Sequence, residues 1–213
     1  MSSAQPYLNA LVMSPHGKCI PYAGDGLMRA DGNANYGFKN LKIKPDLIET
    51  IPELAADADL KSLVSSLNAH PNFFSTGCFS QCISKSQEEN LDEKQSDRVY
   101  HYCRGYIELA FNCSVHVQDA HNYFDLFFRF DSFLRQHHFP QAVKFDWQLE
   151  KAYFSEANVG GFSCAIFIRT VASPSLETAT LGWQRSLQIL ETFFKSIPNQ
   201  FTVGIYQLLA IAP

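Results

Sequence analysis

The chain has 213 residues, of which 46% are hydrophobic, 14% aromatic and 18% charged, and its formal charge is -4. This composition is typical of a folded globular protein and excludes a disordered or fibrous chain. The net negative charge argues against a general DNA- or RNA-binding protein, because such proteins usually carry a basic patch. The N-terminus lacks a signal-peptide pattern and no window approaches roughly 18 consecutive apolar residues, so we expect a cytoplasmic chain with no membrane partner.

The six cysteines are expected to be reduced thiols. Without an export signal the chain is assigned to a reducing compartment, where disulfides are rare. Free cysteine is also among the most buried residue types, so ordinary core packing accounts for these side chains.

The N-terminal third is predicted to be a loop followed by short helices. Residues 14–40 are crowded with Gly, Pro, Asn and Asp and show no sustained hydrophobic period. Residues 44–70 have helical spacing, with Asp57 or Asp59 available as an N-cap, and Pro52 is expected to divide them into two helices.

A long-looped antiparallel hairpin is predicted next. Residues 73–84 and 98–113 are both rich in strand-forming residues, and the connection at residues 85–97 is charged and poor in apolar residues. We expect this connection to be disordered or sensitive to proteases.

A helix is predicted from Asp119, which can cap it, through about His138. Phe128 and Phe133 fall off its main apolar stripe, so more of its circumference is apolar than one sheet contact needs. Two interpretations follow: the N-terminal helices cover this surface, or it is a subunit interface.

The last third of the chain is predicted to form two strands, a helix and a final strand. From residue 144 the sequence alternates strictly, with the polar side chains of Lys144, Asp146, Gln148 and Glu150 on one face. The turn at residues 158–161 leads to a return strand. A helix entered at Ser173 and Pro174 ends at Pro198, and residues 200–212 predict a terminal strand.

The element order from residue 99 onward, β-α-β-β-α-β, resembles that of ferredoxin-like domains. The resemblance implies an α+β sandwich in which two helices pack on one face of an antiparallel sheet. The hairpin strand at residues 73–84 would extend that sheet. We expect residues 1–70 to pack as a loop-rich segment on a main domain of residues 71–213. This order by itself implies no chemistry, since the fold hosts many unrelated functions.

Cys78 and Cys82, with Cys103 on the neighbouring strand, are the candidate metal ligands. A structural zinc site needs four ligands, and two strand residues four positions apart lie about 13 Å from each other. We therefore predict strand packing and neither metal nor cofactor. Gly77, directly before Cys78, indicates a β-bulge or a close backbone approach.

Cys78 is also the candidate nucleophile, with His70, His101 or His116 as its base. Such a thiol needs a pKa lowered by an adjacent base, cation or helix N-terminus. The sequence does not place any of these histidines within hydrogen-bond reach of the thiol.

The segment "RGYIELAF", residues 104–111, has the spacing of the RNA-stacking octamer of RNA-recognition domains but carries Glu108 where a stacking aromatic is expected. That charge opposes a phosphate backbone, so we predict no nucleic-acid partner.

Two functions follow from these patterns. The lack of a complete catalytic constellation favours a noncatalytic ligand-binding or protein-interaction domain, expected to be a homodimer. Its binding surface would be the polar face formed by Lys144, Asp146, Gln148 and Glu150, or the cleft between the sheet and the N-terminal segment. The alternative is a small cysteine-dependent enzyme that uses Cys78.

Overall fold

The structure is a computed structural model that describes residues 7–27, 35–87, 98–139 and 141–199. The strands are β1 (Tyr7–Ile20), β2 (Phe73–Gln87), β3 (Arg98–Phe111), β4 (Val143–Phe154) and β5 (Val159–Thr170). The α-helices are α1 (Pro52–Ala55), α2 (Ala58–Ala69), α3 (Ser114–Gln118), α4 (Ala120–Leu134) and α5 (Leu176–Ser196). A 3-10 helix spans Pro45–Thr50.

The strands form one mixed sheet in the order β1-β4-β5-β3-β2. β1 pairs parallel to β4, and the other three pairs are antiparallel. Because β3 and β4 are both antiparallel to β5, they run parallel to each other. α3 and α4 lie between these two strands in the chain, as in a split βαβ unit.

The α+β class is confirmed, but the specific ferredoxin-like order is not. Such an order places the last strand beside β3, and here β3 has β2 on one side and β5 on the other. The predicted terminal strand, residues 200–212, lies outside the described residues. The sheet also gains a parallel strand, β1, so it is not purely antiparallel.

β1 corrects the prediction that residues 14–40 form a loop. Residues 14–20 belong to the strand, although the register shifts between Met13 and Gly17, around Pro15. Pairing with β4 stabilises an extended segment that has no clear hydrophobic period, which is why the local pattern missed it.

Side-chain caps set the starts of three helices. The Asp57 carboxylate accepts a hydrogen bond from Leu60 N at 2.9 Å, and Asp119 accepts one from His121 N at 2.9 Å. Both residues were candidate caps in the sequence. Pro52 begins α1 and so separates it from the preceding 3-10 helix. α5 is capped by Ser175, two residues beyond the predicted entrance at Ser173.

The core lies between the helices and one face of the sheet. The alternation predicted for β4 is confirmed, since Phe145, Trp147 and Leu149 are fully buried. The rings of Phe130 in α4 and Trp147 have their centroids 5.5 Å apart. α2 packs against α5 and β2, and its apolar side chains belong to the same core cluster.

Phe128 on α4 remains 66% exposed, so the N-terminal helices do not cover it. That interpretation of the wide apolar face of α4 is wrong for this residue. α2 packs instead against α5 and β2. In the described parts of the chain, no helix combines the length and the apolar character needed to cross a membrane.

Candidate functional site

A cleft of about 340 Å³ lies beside β2, an edge strand of the described sheet. We call it the Gly77 cleft. Described residues of the segment after β1 and residues of α1 and α2 line it, together with residues 75–78 of β2 and side chains of β3, which we call its floor. Its charged and tyrosine lining residues are Lys18, Lys39, Glu53, Glu108, Tyr22, Tyr36 and Tyr106.

Gly77 lies in the floor of this cleft. The β2–β3 register shifts between Ser75 and Gly77, which confirms the bulge indicated by the glycine, and Gly77 faces Glu108 across the pair. A methyl carbon on Gly77 would lie 3.3 Å from Glu108 Oε2, 3.5 Å from Tyr22 Oη and 3.6 Å from Tyr106 Cε2. A side chain at position 77 would therefore crowd Glu108, Tyr22 and Tyr106.

A buried ion-pair cluster borders the same point. Lys18 Nζ contacts Glu108 Oε1 and lies 2.5 Å from Glu150 Oε1. Glu108 is only 4% exposed. β5 runs between these two glutamates and faces them with the small residues Ser163 and Ala165, which leaves Lys18 room to reach both.

The two carboxylates keep Lys18 charged. Burial alone would lower the pKa of Lys18, but the ion pairs with Glu108 and Glu150 outweigh it, so the pKa lies above its ordinary value. A buried carboxylate needs such a partner, because desolvation penalises an isolated charge. The Lys18 ammonium therefore stays charged at neutral pH.

The connection after β1 is tied to β2 by Tyr22. The Tyr22 hydroxyl donates a hydrogen bond to the Thr76 carbonyl oxygen at 2.7 Å. Thr76 also lines the cleft, and its buried hydroxyl has no hydrogen-bond partner among the described residues. The cleft thus contains a polar group that the described chain leaves unsatisfied.

Cys78 lines the cleft as well, but its thiol is not activated. Burial, with smaller contributions from the carboxylates of Glu53 and Asp57, raises the pKa of Cys78 to about 12. Burial also raises the pKa of Glu53. Within the described residues Cys78 makes no hydrogen bond to a histidine, so the surroundings of this thiol are those of a protonated group.

The three candidate histidines lie elsewhere. His70 donates from Nε2 to the Ile197 carbonyl oxygen at 3.0 Å and accepts at Nδ1 from Asn72 N at 3.2 Å, and burial lowers its pKa. His101 bridges to Ser173 through the backbone. His116 lies in α3, with its ring against Phe111. None of the three lines the Gly77 cleft.

Cys82 and Cys103 form a disulfide bond. They face each other across the β2–β3 pair, so the prediction of six reduced thiols is wrong for these two. Their position follows from the hairpin register, which the sequence does not specify across a long connection. The bond removes both from the candidate metal ligands, and the described residues contain no group of three or more His, Cys, Asp or Glu arranged to hold a metal ion.

The four polar residues of β4 lie on the sheet face opposite the helices. Lys144 and Asp146 pair with each other at 2.7 Å. Gln148 is half-buried, and Glu150 connects to the cleft through Lys18. Of this predicted binding face, only Glu150 contacts the ion-pair cluster.

Comparisons with known proteins identify no relative of the chain. No protein-family model matches it, and neither does any curated protein or solved structure. The fold and the site define the chain as an α+β protein with a cleft beside an edge strand of its described sheet.

Sequence reasoning did not find Lys18, Tyr22 or the role of Glu108. The available signal was a carboxylate inside the apolar run "YIELAF", since a glutamate is almost never fully buried unless it is paired. In the sequence, Glu108 argues only against RNA stacking. Its partner Lys18 is 90 residues away in the sequence and no local pattern connects the two.

Proposed function

We propose that the protein is a noncatalytic ligand-binding protein whose small-molecule ligand occupies the Gly77 cleft. The observation that carries this proposal is the buried Glu108 carboxylate beside a glycine at the floor of a cleft of about 340 Å³. Ligand sites typically measure roughly 300–1,000 Å³ and contain a few precisely placed polar groups. The polar face of β4 is the other predicted binding surface. Part of its charge is already neutralised, because Lys144 pairs with Asp146 and Glu150 pairs with Lys18.

Gly77→Val tests the cleft directly. The added side chain enters the space beside Glu108 and Tyr22, so compounds that raise the melting temperature of the wild type are expected to lose that effect in the variant. A thermal-shift screen of a metabolite library provides the measurement, with circular dichroism as the check on folding.

Gly160→Val is the matched control, because a Cβ on this strand glycine would meet no atom within 4 Å. Compounds that stabilise the wild type should stabilise this control equally. Hits that also stabilise Gly77→Val would show that binding occurs outside the cleft.

The cysteine-dependent enzyme remains the alternative proposal, and it needs a reactive Cys78. Because burial raises its pKa to about 12, we expect Cys78 to stay protonated at neutral pH and to be alkylated only slowly. Its alkylation rate should keep rising above pH 9, as thiolate accumulates towards the raised pKa. Cys19, which is exposed, provides the internal reference for mass-spectrometric mapping. Fast alkylation of Cys78 at pH 7 would favour the enzyme.

We also propose that the protein is a homodimer formed through β1. β1 is an edge strand of the described sheet, and its residues 7–14 carry no charge. Leu8 and Val12 are 57% and 48% exposed. Natural edge strands are usually protected by charges or proline, so an uncharged edge favours pairing with a second copy.

Light scattering measures the oligomeric state and so tests the proposed dimer. Val12→Lys should give monomers, and a monomeric wild type would refute the proposal.

A further inference from the structure

We infer that the sheet face opposite the helices binds a mononucleotide, with the base stacked on Phe167 and the phosphate at Arg169. Both residues belong to β5, and neither lines the Gly77 cleft, so the inference goes beyond the function proposed for that cleft. The ligand class is defined by two parts, a flat aromatic base and a phosphate group.

An aromatic row crosses three strands of this face. Tyr106 of β3 lies directly opposite Phe79 of β2 and Phe167 of β5, and Phe167 lies opposite Asp146 of β4. The ring centroids of Tyr106 and Phe167 are 5.2 Å apart, and those of Phe79 and Tyr106 are 6.3 Å apart. Phe79 is 7% exposed but Phe167 is 37% exposed, so Phe167 is the accessible end of the row. Accessible aromatic rings stack nucleobases, because every base has a π-face.

A basic row lies beside the aromatic row. In the register, Arg169 of β5 lies directly opposite both Arg104 of β3 and Lys144 of β4. Phe167 and Arg169 are two positions apart on one strand, so the rows are about 7 Å apart and one ligand can contact both. Like charges directly opposite each other are destabilising, and an anion bound at Arg169 would relieve this repulsion.

Arg169 is the cation of this row that is best placed to take a phosphate. It is exposed, its guanidinium carbon lies 4.7 Å from the centroid of the Tyr102 ring, and it makes no ion pair with any described residue. Lys144, by contrast, pairs with Asp146 at 2.7 Å. A guanidinium group can bind phosphate oxygens through two parallel N–H···O hydrogen bonds, which fixes the position of the phosphate.

The arrangement fits one nucleotide better than a nucleic acid. On the other side of the aromatic row, the next register row consists of Glu108, Ala165 and Gln148, and the nearby Lys18 is already paired with Glu108. Among the described residues the face therefore presents one basic row beside one aromatic row. A nucleic acid has a phosphate on each side of a base and gains its affinity from several cations along the backbone.

The test is isothermal titration calorimetry with AMP, GMP, CMP and UMP, each compared with its nucleoside and with inorganic phosphate. We expect at least one mononucleotide to bind the wild type with a Kd below about 1 mM, at least about tenfold more tightly than either of its parts. No mononucleotide binding in this range, or a nucleoside that binds as tightly as its nucleotide, would overturn the inference.

Two substitutions test the two contacts. Arg169→Gln removes the guanidinium group and should weaken mononucleotide binding by about tenfold or more. Phe167→Ala removes the ring and should weaken it by about fivefold or more. Circular dichroism checks that both variants fold.

Arg129→Gln and Phe128→Ala are the matched controls, because both residues are exposed on α4, on the other side of the sheet. Both controls should bind the mononucleotide like the wild type. Unchanged binding in Arg169→Gln, or equal losses in Arg129→Gln and Arg169→Gln, would show that the phosphate does not bind at this face.

Two further outcomes separate this inference from its competitors. If a single-stranded RNA octamer binds about tenfold more tightly than any mononucleotide, and Arg169→Gln weakens that binding, the partner is a nucleic acid and the mononucleotide inference is wrong. If mononucleotide binding is lost in Gly77→Val and unchanged in Arg169→Gln, the nucleotide occupies the Gly77 cleft, which supports the proposed function and overturns this inference.

Discussion

Lys18→Met is expected to lower the free energy of unfolding by about 3 kcal/mol or more. The substitution removes the cation that pairs with Glu108 and Glu150 in the described part of the chain, and the Glu108 carboxylate, in a residue that is 4% exposed, loses this partner. Urea unfolding at pH 7 gives the measurement. Because the pKa of Lys18 is raised, its stabilising contribution should be fully present below about pH 10.5 and be lost only as the pH rises through the folded-state value.

Lys151→Met is the matched control. Lys151 is an exposed lysine on β4, opposite Gly17 of β1, and lines no part of the Gly77 cleft. Its substitution is expected to change the free energy of unfolding by less than about 0.5 kcal/mol. The double variant Lys18→Met with Glu108→Gln should recover part of the loss, since it removes the uncompensated charge. Equal effects of Lys18→Met and Lys151→Met would show that the ion-pair cluster contributes nothing to stability.

Loss of the Cys82–Cys103 disulfide is expected to cost about 3 kcal/mol of unfolding free energy on the chain-entropy account of a 21-residue separation. The bond limits the unfolded chain by closing the connection between β2 and β3. Replacing both cysteines with alanine and comparing urea midpoints with the wild type measures this cost.

Cys19→Ala is the control, because it removes an exposed free thiol and no crosslink. Its midpoint should match the wild type. Alkylation of the unfolded wild type without reductant should modify four thiols, and six after reduction. Six modified thiols without reductant would contradict the disulfide and support the fully reduced chain.

Element type and helix caps were predictable where the pattern is local. The alternation around Phe145 and Trp147 identified β4 and its buried face. Asp57 and Asp119 were recognised as caps, because a cap depends only on the next two or three residues. The bulge at Gly77 was likewise indicated by one glycine in a strand.

The sheet order was not predictable in the same way. β1 pairs with β4 across more than 120 residues of chain, and its second half looks like a loop because of Pro15 and Gly17. A strand of this kind is stabilised by its partner and not by its own propensity. The Cys82–Cys103 pair depends in the same way on the β2–β3 register.

The sequence by itself determined an α+β globular chain, most of its helices and strands, two of its caps and the buried face of β4. The existence of the cleft and the residues that line it depend on tertiary structure alone. Lys18 of β1, Tyr22 after it, Gly77 of β2 and Glu108 of β3 meet only because strands distant in sequence join one sheet. Local patterns report backbone propensity and which face of an element is apolar, whereas a site of this kind depends on long-range pairing and register, which are set by packing of the whole core.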